Sequence, residues 1–331
     1  MTHNPNKTIY GGLRILEIAD VKGMYCGKIL AQMGATVTKI ERVGGDLSRR
    51  NGPFAPGGDN RLEKSLSFAY LNTGKKGVTL NIASEEGKAI LLKMVESADA
   101  VIETLAPGEL DGLGLGYETM RQVNPGIIMA SITPFGQSGP HSGWQASSDL
   151  IPDAMGGCMP DVGYLGRSPL HLGYDIMASV CGLYASFAIQ VAYHQRLTTG
   201  IGTHIEISQQ EAFSMWRSSR LGEAQLAQRD FQLRGGEGYV RQGLVNCKDG
   251  FAYVMLGIKF KELLEWFKDA GQDISEFDDP KYDIYSVYAL ALWDEPLLRH
   301  FNELGARYTA VDFMEEGQRR KIPVCALESP D

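Results

Sequence analysis

Near the start of the chain, apolar and polar residues alternate, which is the pattern of a half-buried β-strand. Residues 13–18 and 37–41 show this alternation, whereas residues 28–33, which follow Gly23 and Gly27, space their apolar side chains as a helix does. A strand, a helix and a second strand in this order predict a parallel pair, because the helix carries the chain back to the edge of the sheet from which it left.

The same unit recurs further along the chain. Ser84 is well placed to cap a helix with one apolar face, and another helix is predicted at residues 117–122. A stretch of apolar and small residues from Ile176 to about His194 predicts a long buried helix. Further strands are predicted at residues 100–103, 127–132 and 204–208. This repetition predicts an α/β fold with a doubly wound parallel sheet.

The alternation of strand and helix ends at about residue 216, where the composition shifts toward charged residues. Beyond that point, the turn residues Asp249 and Gly250 separate two short apolar runs at residues 244–246 and 251–255, which predicts an antiparallel hairpin. We therefore predict a large domain over residues 1–215, followed by a linker and a smaller α+β domain over residues 216–331.

Length and charge agree with a globular protein of more than one domain. The 331 residues exceed the roughly 250–300 residues at which a single hydrophobic core stops growing. The net charge of -8 leaves no excess of basic residues to neutralise nucleic-acid phosphates. The polar first residues lack the features of a signal sequence, and no apolar run approaches the roughly 20 residues that cross a bilayer. We expect a cytoplasmic protein that binds neither nucleic acid nor membrane.

The cysteines give no indication of a metal or a disulfide framework. They are odd in number, widely separated and without a CxxC pair or a suitably spaced histidine. Their positions are Cys26, Cys158, Cys181, Cys247 and Cys325. We expect buried free thiols and no bound metal.

Several short segments occur together over nearly the whole chain. They lie at residues 33–46, 72–81, 98–103, 113–117, 135–140 and 199–202. In order and approximate spacing they resemble the class III CoA-transferase family, of the formyl-CoA transferase type. The resemblance implies a Rossmann-like large domain, a smaller domain and two subunits that interlock like links of a chain. It also implies transfer of coenzyme A (CoA) from an acyl-CoA donor to a carboxylic acid, through covalent intermediates on an aspartate.

The sequence departs from the family at the nucleophilic aspartate. By resemblance, that aspartate opens the helix that precedes Thr199 and Gly200, four residues before a small residue. Counting back from Gly182 reaches Ala178, and the neighbouring carboxylate is Asp175. Either a local shift brings Asp175 into the site, or a homologous partner subunit carries the acid, and we favour the partner. An ordinary helix N-cap is the structural alternative for Asp175.

The resemblance also assigns positions around the CoA nucleotide. Arg42 stands where the family has an arginine against the adenine nucleotide, and Leu80 where it has a residue of the adenine wall. Gly23 replaces a small residue of the first loop, and Thr104 replaces an asparagine. Lys75 and the lysine after it belong to a segment on the phosphate side, but an exposed loop pair is the favoured interpretation. Arg42 has the same alternative, an exposed surface charge.

These residues lead to one favoured function and two alternatives. The favoured function is a subunit of a heteromeric CoA-transferase whose partner supplies the aspartate, similar to the two-subunit succinyl-CoA:benzylsuccinate CoA-transferases. Succinyl-CoA is then the expected donor, and an aromatic succinate such as benzylsuccinate is a candidate acceptor. The alternatives are a homodimeric transferase that uses Asp175, and a structural subunit that binds no CoA.

Two further features enter the interpretation. A dehydrogenase is disfavoured because the first strand lacks the GxGxxG turn that binds a dinucleotide. Members of the family return from the small domain to the large one after a segment like residues 322–329, whereas this sequence ends at Asp331.

Overall fold

The computed structural model describes residues 8–57, 61–146, 175–216, 243–254, 259–282 and 295–327. These residues fall into two compact units, one with the described residues up to 216 and one with those from 243 onward. The boundary predicted between residues 215 and 216 stays a prediction, because residues 217–242 lie outside the described part of the chain.

The strands of the first unit form one sheet. They are β1 (Arg14–Ile18), β2 (Thr36–Glu41), β3 (Lys76–Thr79), β4 (Ala100–Glu103), β5 (Ile128–Thr133) and β6 (His204–Ser208). All of them run parallel, in the order β3-β2-β1-β4-β5-β6. Strands β2 and β3 are added on one side of β1, and strands β4, β5 and β6 are added on its other side. Open α/β sheets bind ligands at such a switch point, beyond the carboxyl ends of the strands.

Helices cover both faces of the sheet. They are α1 (Val21–Gln32), α2 (Leu66–Leu71), α3 (Glu85–Val95), α4 (Glu109–Gly112), α5 (Tyr117–Val123), α6 (Ile176–Thr199) and α7 (Gln209–Trp216). Successive residues of β1 enter two different cores: Ile15 packs with α1 and α6, and Leu16 packs with α3 and α5. Burial on both faces is typical of a parallel sheet. The predicted α/β class is confirmed.

The second unit combines a small antiparallel sheet with helices. Its elements are β7 (Leu244–Asn246), β8 (Phe251–Val254), α8 (Phe260–Asp269), α9 (Glu295–Gly305), α10 (Ala310–Arg319) and β9 (Val324–Leu327). The predicted hairpin is confirmed, since β7 and β8 pair antiparallel with Asn246 opposite Phe251. Trp266, Phe267 and Phe313 are buried at the centre of this unit.

Two elements differ from the sequence prediction for identifiable reasons. Helix α1 begins at Val21 rather than near residue 28, because the Asp20 side chain accepts a hydrogen bond from Lys22 N and starts the helix. Strand β3 was not predicted. All of its residues are exposed at the edge of the sheet, so it carries no alternation of apolar and polar positions.

A group of buried charges joins the strands beneath the start of α1. The Glu17 carboxylate accepts from Lys75 Nζ at 2.7 and 2.8 Å, and Lys39 Nζ lies 3.6 Å from its Oε1. The two lysine side chains are 1% and 2% exposed, and that of Glu17 is fully buried. Burial raises the pKa of Glu17 and lowers the pKa of Lys75, while the attraction between them opposes both changes.

Lys75 therefore corrects the sequence interpretation. It is neither an exposed loop residue nor a phosphate ligand, because its ammonium is held by Glu17 and by the carbonyl of Met24 at 2.7 Å. The next lysine, Lys76, begins β3 and is exposed as expected.

Replacing Lys75 with Met should destabilise the first unit, because the Glu17 carboxylate would lose its closest cation inside the protein. We expect the free energy of unfolding in urea to fall by about 3 kcal/mol. The Glu17→Gln/Lys75→Met double variant should recover most of that loss, and Lys76→Met should behave like the wild type. A single Lys75→Met variant as stable as the wild type would contradict the role of the ion pair.

Candidate functional site

The carboxyl ends of β1 to β4 border a cavity of about 700 Å³. Its wall is formed by residues 18–21, 40–42, 46–48, 80–83 and 104–106, with Asn51, Glu109 and Leu113. The cavity lies at the switch point between β1 and β4, where the topology of an α/β sheet leaves a crevice. Apolar and polar groups both contribute to the wall, as in most small-molecule sites.

Three of the four predicted nucleotide-site residues lie in this wall. They are Arg42, Leu80 and Thr104, which follow β2, β3 and β4 respectively. Gly23 lies one turn into α1, where a Cβ would meet the Cγ2 atom of Thr104 at 2.9 Å and the Cβ of Ala19 at 2.8 Å. Glycine is thus required for α1 to pack closely on the end of β4. A CoA contact for any of the four stays a prediction.

Thr104 is joined to the start of α1 by a pair of hydrogen bonds. Its hydroxyl accepts from Asp20 N at 2.9 Å and donates to Asp20 Oδ1 at 3.0 Å. Asp20 Oδ1 also accepts a hydrogen bond from Lys22 N at 3.0 Å, and Asp20 Oδ2 forms an ion pair with Lys22 Nζ. Asp20 and Thr104 therefore meet in the wall, although they are 84 residues apart in the sequence. Sequence reasoning missed both Asp20 and Lys22.

Most charges around the cavity are already paired. Glu41 accepts two hydrogen bonds from Arg49, at 2.7 and 2.8 Å, and this contact lowers the pKa of Glu41. Asp46 lies 3.4 Å from Lys39 Nζ. Arg42 Nε donates to the carbonyl of Gly45 at 3.2 Å, which leaves the rest of its guanidinium for a ligand.

The predicted nucleophile position lies at the start of α6. Ala178 is buried, which agrees with a methyl group packed in the core rather than a reacting side chain. Asp175 occupies the N-cap position with left-handed backbone angles and is exposed, and its carboxylate makes no capping hydrogen bond to the described residues. It is also absent from the described walls of the cavity. Asp175 therefore has the position of an N-cap without its usual hydrogen bond.

A second, smaller cavity of about 160 Å³ lies beside the first and shares Ala106 with it. Glu103 is buried in its wall, where its carboxylate accepts from Leu105 N at 2.7 Å and from Gln137 Nε2 at 3.2 Å. Ser131 Oγ is 2.9 Å from His204 Nε2. Burial raises the pKa of Glu103 to about 7, and the nearby acids on α4 act in the same direction.

The profile of CoA-transferase family III matches residues 10–331. The chain belongs to CoA-transferase family III. Both the predicted family and the α/β architecture are thereby confirmed.

Relatives within family III differ in their named substrates. The chain is 37% identical over 198 residues to a succinyl-CoA:mesaconate CoA-transferase of Haloarcula marismortui, an alignment that spans 59% of the chain and half of that relative. It is 28% identical over 326 residues to the succinyl-CoA:(R)-benzylsuccinate CoA-transferase subunit BbsE of Thauera aromatica, covering 95% of the chain and 78% of the relative.

A solved structure has a similar fold over nearly the whole chain. The crystal structure of a CAIB/BAIF family protein from Brucella suis matches with a TM-score of 0.80 and 28% identity. The match covers 96% of this chain and 83% of that one.

Four of the five cysteines lie among the described residues. Cys26 and Cys181 are buried as predicted. Cys247 is only partly buried and Cys325 is exposed, so the prediction is wrong for these two; Cys158 lies outside the described residues. Among the described residues, no group of three or more metal-binding side chains is present. By length and composition alone, helix α6 could cross a bilayer, which differs from the expectation drawn from the sequence; 44% of its most apolar window is buried inside the protein.

Replacing Glu103 with Gln should remove a pH dependence of stability. In the wild type, Glu103 stays protonated up to about pH 7 in the folded chain but ionises near its ordinary value of 4.5 when unfolded. Its stabilising contribution is complete below pH 4.5 and is lost as the pH rises through 7, by about 3 kcal/mol at most. Urea unfolding between pH 4.5 and 8 should give a smaller decline for Glu103→Gln. Identical declines in both proteins would contradict this assignment.

Proposed function

We propose that the chain is one subunit of a CoA-transferase that moves CoA from an acyl-CoA donor to a carboxylic acid, and that a homologous partner subunit carries the nucleophilic carboxylate. The proposal rests on the residues found at the start of α6. Ala178 occupies the position that the resemblance assigns to the nucleophile, and it is buried, while Asp175 is exposed and outside the described cavity walls.

The chemistry requires a carboxylate in the assembled enzyme. A carboxylate that attacks the thioester carbonyl releases the CoA thiolate and forms an acyl anhydride, which divides one difficult exchange into easier steps. Since Ala178 cannot perform this attack, the acid must come from elsewhere. A heteromer of two related chains supplies it without any change in the fold of this subunit.

Named relatives support the donor and the class of acceptor. The Haloarcula and Thauera relatives both use succinyl-CoA, and their acceptors, mesaconate and benzylsuccinate, are dicarboxylic acids. The Thauera relative is itself named as a subunit, and it aligns with 95% of this chain. We therefore favour succinyl-CoA as donor, a dicarboxylic acid such as benzylsuccinate as acceptor, and the cytoplasm as the place of reaction.

The outer face of α6 supports a protein partner. Leu183, Phe187 and Val191 follow one another at intervals of four residues, so they lie on one side of the helix. Their side chains are 55%, 65% and 53% exposed, although the opposite side of α6 packs in the core. An apolar stripe of this kind on a core helix is characteristic of a subunit interface. Interlocking of the two subunits is part of the proposal.

In this arrangement the cavity of the first unit holds the CoA nucleotide. Arg42 and Leu80 lie on the same wall, so a guanidinium for a phosphate and an apolar surface for the adenine are available side by side. The neighbouring Asp46 and Glu41 are neutralised by Lys39 and Arg49, which reduces repulsion of a polyanion. Gly23 and Thr104 lie where the start of α1 packs against the end of β4.

The partner requirement is tested by coexpressing the chain with a candidate partner, a second family III chain from the same genome that has an aspartate at the position of Ala178. The complex should exchange label between succinyl-CoA and ¹³C-succinate, and the isolated chain should be slower by roughly a thousandfold or more, the order of loss expected without a nucleophile. Asp175→Ala in the complex should leave the rate unchanged. A fully active homodimer of this chain, inactivated by Asp175→Ala, would contradict the proposal and favour the homodimeric alternative.

CoA binding by this subunit is tested by calorimetric titration of CoA onto the complex. Replacing Arg42 with Gln should weaken binding by about tenfold, because one charge-assisted contact to a phosphate is lost. Arg121→Gln is a matched control, since Arg121 is an exposed arginine paired with Glu118 on α5. Equal affinity in the wild type and Arg42→Gln would exclude the predicted contact. Absence of CoA binding at sites formed by this chain would favour the structural subunit.

A further inference from the structure

The turn from β3 into α3 runs along the wall of the larger cavity, which includes residues 80–83. Leu80 N donates to the carbonyl of Glu41 at 2.8 Å, which extends the pairing of β3 with β2 by one residue. Asn81 is the next residue and also lines the cavity. The turn therefore leaves the sheet at its carboxyl edge, beside the end of β2 and Arg42.

The backbone of Asn81 is fixed against the start of α3. Its carbonyl oxygen accepts from Ser84 N at 3.2 Å and from Ser84 Oγ at 3.0 Å. The same hydroxyl accepts from Gly87 N at 3.1 Å. A Cβ at Gly87 would lie 1.8 Å from the Asn81 carbonyl oxygen, so only glycine allows this close packing. The position of Asn81 is thus set by the helix and the sheet together.

The side-chain amide of Asn81 is oriented but only partly used. Its Oδ1 accepts from Ala83 N at 3.2 Å, as in an Asx turn. The amide nitrogen makes no hydrogen bond to the described residues, and Asn81 is exposed. An asparagine amide carries two donor hydrogens, and its oxygen has two lone pairs. A free donor and a half-used acceptor therefore remain side by side on the cavity wall.

A donor beside an acceptor matches one edge of an adenine base. Adenine presents an amino group next to the ring nitrogen N7, and an asparagine amide binds this pair with two hydrogen bonds. Guanine has a carbonyl oxygen in place of the amino group, so it offers two acceptors instead. Leu80, directly before Asn81, supplies the apolar surface on which the face of the base rests in the proposed CoA site.

The other uncharged polar side chains of this wall are less suited to the task. Ser48 donates to Asp46, and Thr104 donates to Asp20. Asn51 also lines the cavity, but its side chain makes no hydrogen bond to the described residues that would orient it. An amide that is already oriented loses less conformational freedom when a ligand binds. Asn81 meets this condition through its contact with Ala83.

We propose that Asn81 is a specificity-determining residue that recognises the adenine base of CoA. Its Oδ1 accepts from the amino group of the base, and its Nδ2 donates to N7. The inference deepens the proposed CoA-transferase function and rests on it. It makes this cavity selective for adenine nucleotides, with the base held by the turn between β3 and α3.

The test is calorimetric titration of the assembled complex, in which only this chain is varied and the partner stays wild type. CoA is compared with etheno-CoA, in which an added ring removes the hydrogens of the adenine amino group. At the site formed by this chain, the wild type should bind CoA about tenfold more tightly than etheno-CoA, because the amide oxygen loses its donor. Asn81→Ala should weaken CoA binding by about tenfold and largely abolish the preference.

Two further variants separate base recognition from other effects. Arg42→Gln should weaken binding of both ligands equally and keep the preference, because it removes a phosphate contact. Asn302→Ala is a matched control, since Asn302 is an exposed asparagine of α9 that accepts from Asn246, and it should leave both affinities unchanged. A damaged turn in Asn81→Ala would weaken both ligands alike and lower the melting temperature of the complex.

Three results overturn the inference. They are a wild type that binds both ligands equally, an Asn81→Ala variant that keeps the preference, and an Asn51→Ala variant that loses it while Asn81→Ala does not. If the wild type binds CoA in a manner that depends on Arg42, any of these results leaves the proposed function standing. If no CoA binds at sites formed by this chain, CoA binding by this subunit and the role of Asn81 fail together.

Discussion

The buried contact between Glu17 and its two lysines is the constraint on which the rest of the first unit depends. A carboxylate in the core is stable only beside compensating charge, so β1, β2 and the turn before β3 must meet at one point. The same lysines reach the start of α1: Lys39 donates to Ala19 O at 2.6 Å, and Lys75 donates to Met24 O at 2.7 Å. The network thus fixes the place where α1 begins, and with it one wall of the cavity.

From this fixed point the cavity follows by short connections. Asp20 comes directly after Ala19, and its carboxylate starts α1 while binding Thr104 at the end of β4. The two strands on either side of the switch point are therefore joined across the mouth of the cavity. Glu41 and Asp46 in the same wall are paired with Arg49 and Lys39, which reduces the net negative charge of the cavity.

Sequence periodicity was sufficient for the parts of the fold whose pattern is local. Strand β6 was predicted because its apolar and polar residues alternate. Helix α3 was predicted because it has one apolar face and because its N-cap, Ser84, is visible in the sequence. Strand β3 was not, since an exposed edge strand has no such contrast. The family, too, was recognisable from the sequence, because several different short segments typical of it occur in the expected order over nearly the whole chain.

The charged residues of the site needed the tertiary structure. Lys75 looks like an exposed turn residue until Glu17, 58 positions earlier, is placed beside it. The role of Thr104 could not be derived either, because its partner Asp20 lies 84 positions away. Burial of a charge is decided by a distant partner, and local pattern carries no information about that partner. The sequence shows that position 178 is an alanine and not an acid, but only the structure shows that Ala178 is buried.

The central claim is that the acid which carries the acyl group belongs to another chain. The most direct measurement is mass spectrometry of the assembled enzyme after incubation with succinyl-CoA and treatment with hydroxylamine, which converts an acylated carboxylate into a stable hydroxamate. We predict the modification on an aspartate of the partner and an unmodified peptide containing Asp175. A hydroxamate on Asp175, or on any other acid of this chain, would contradict it.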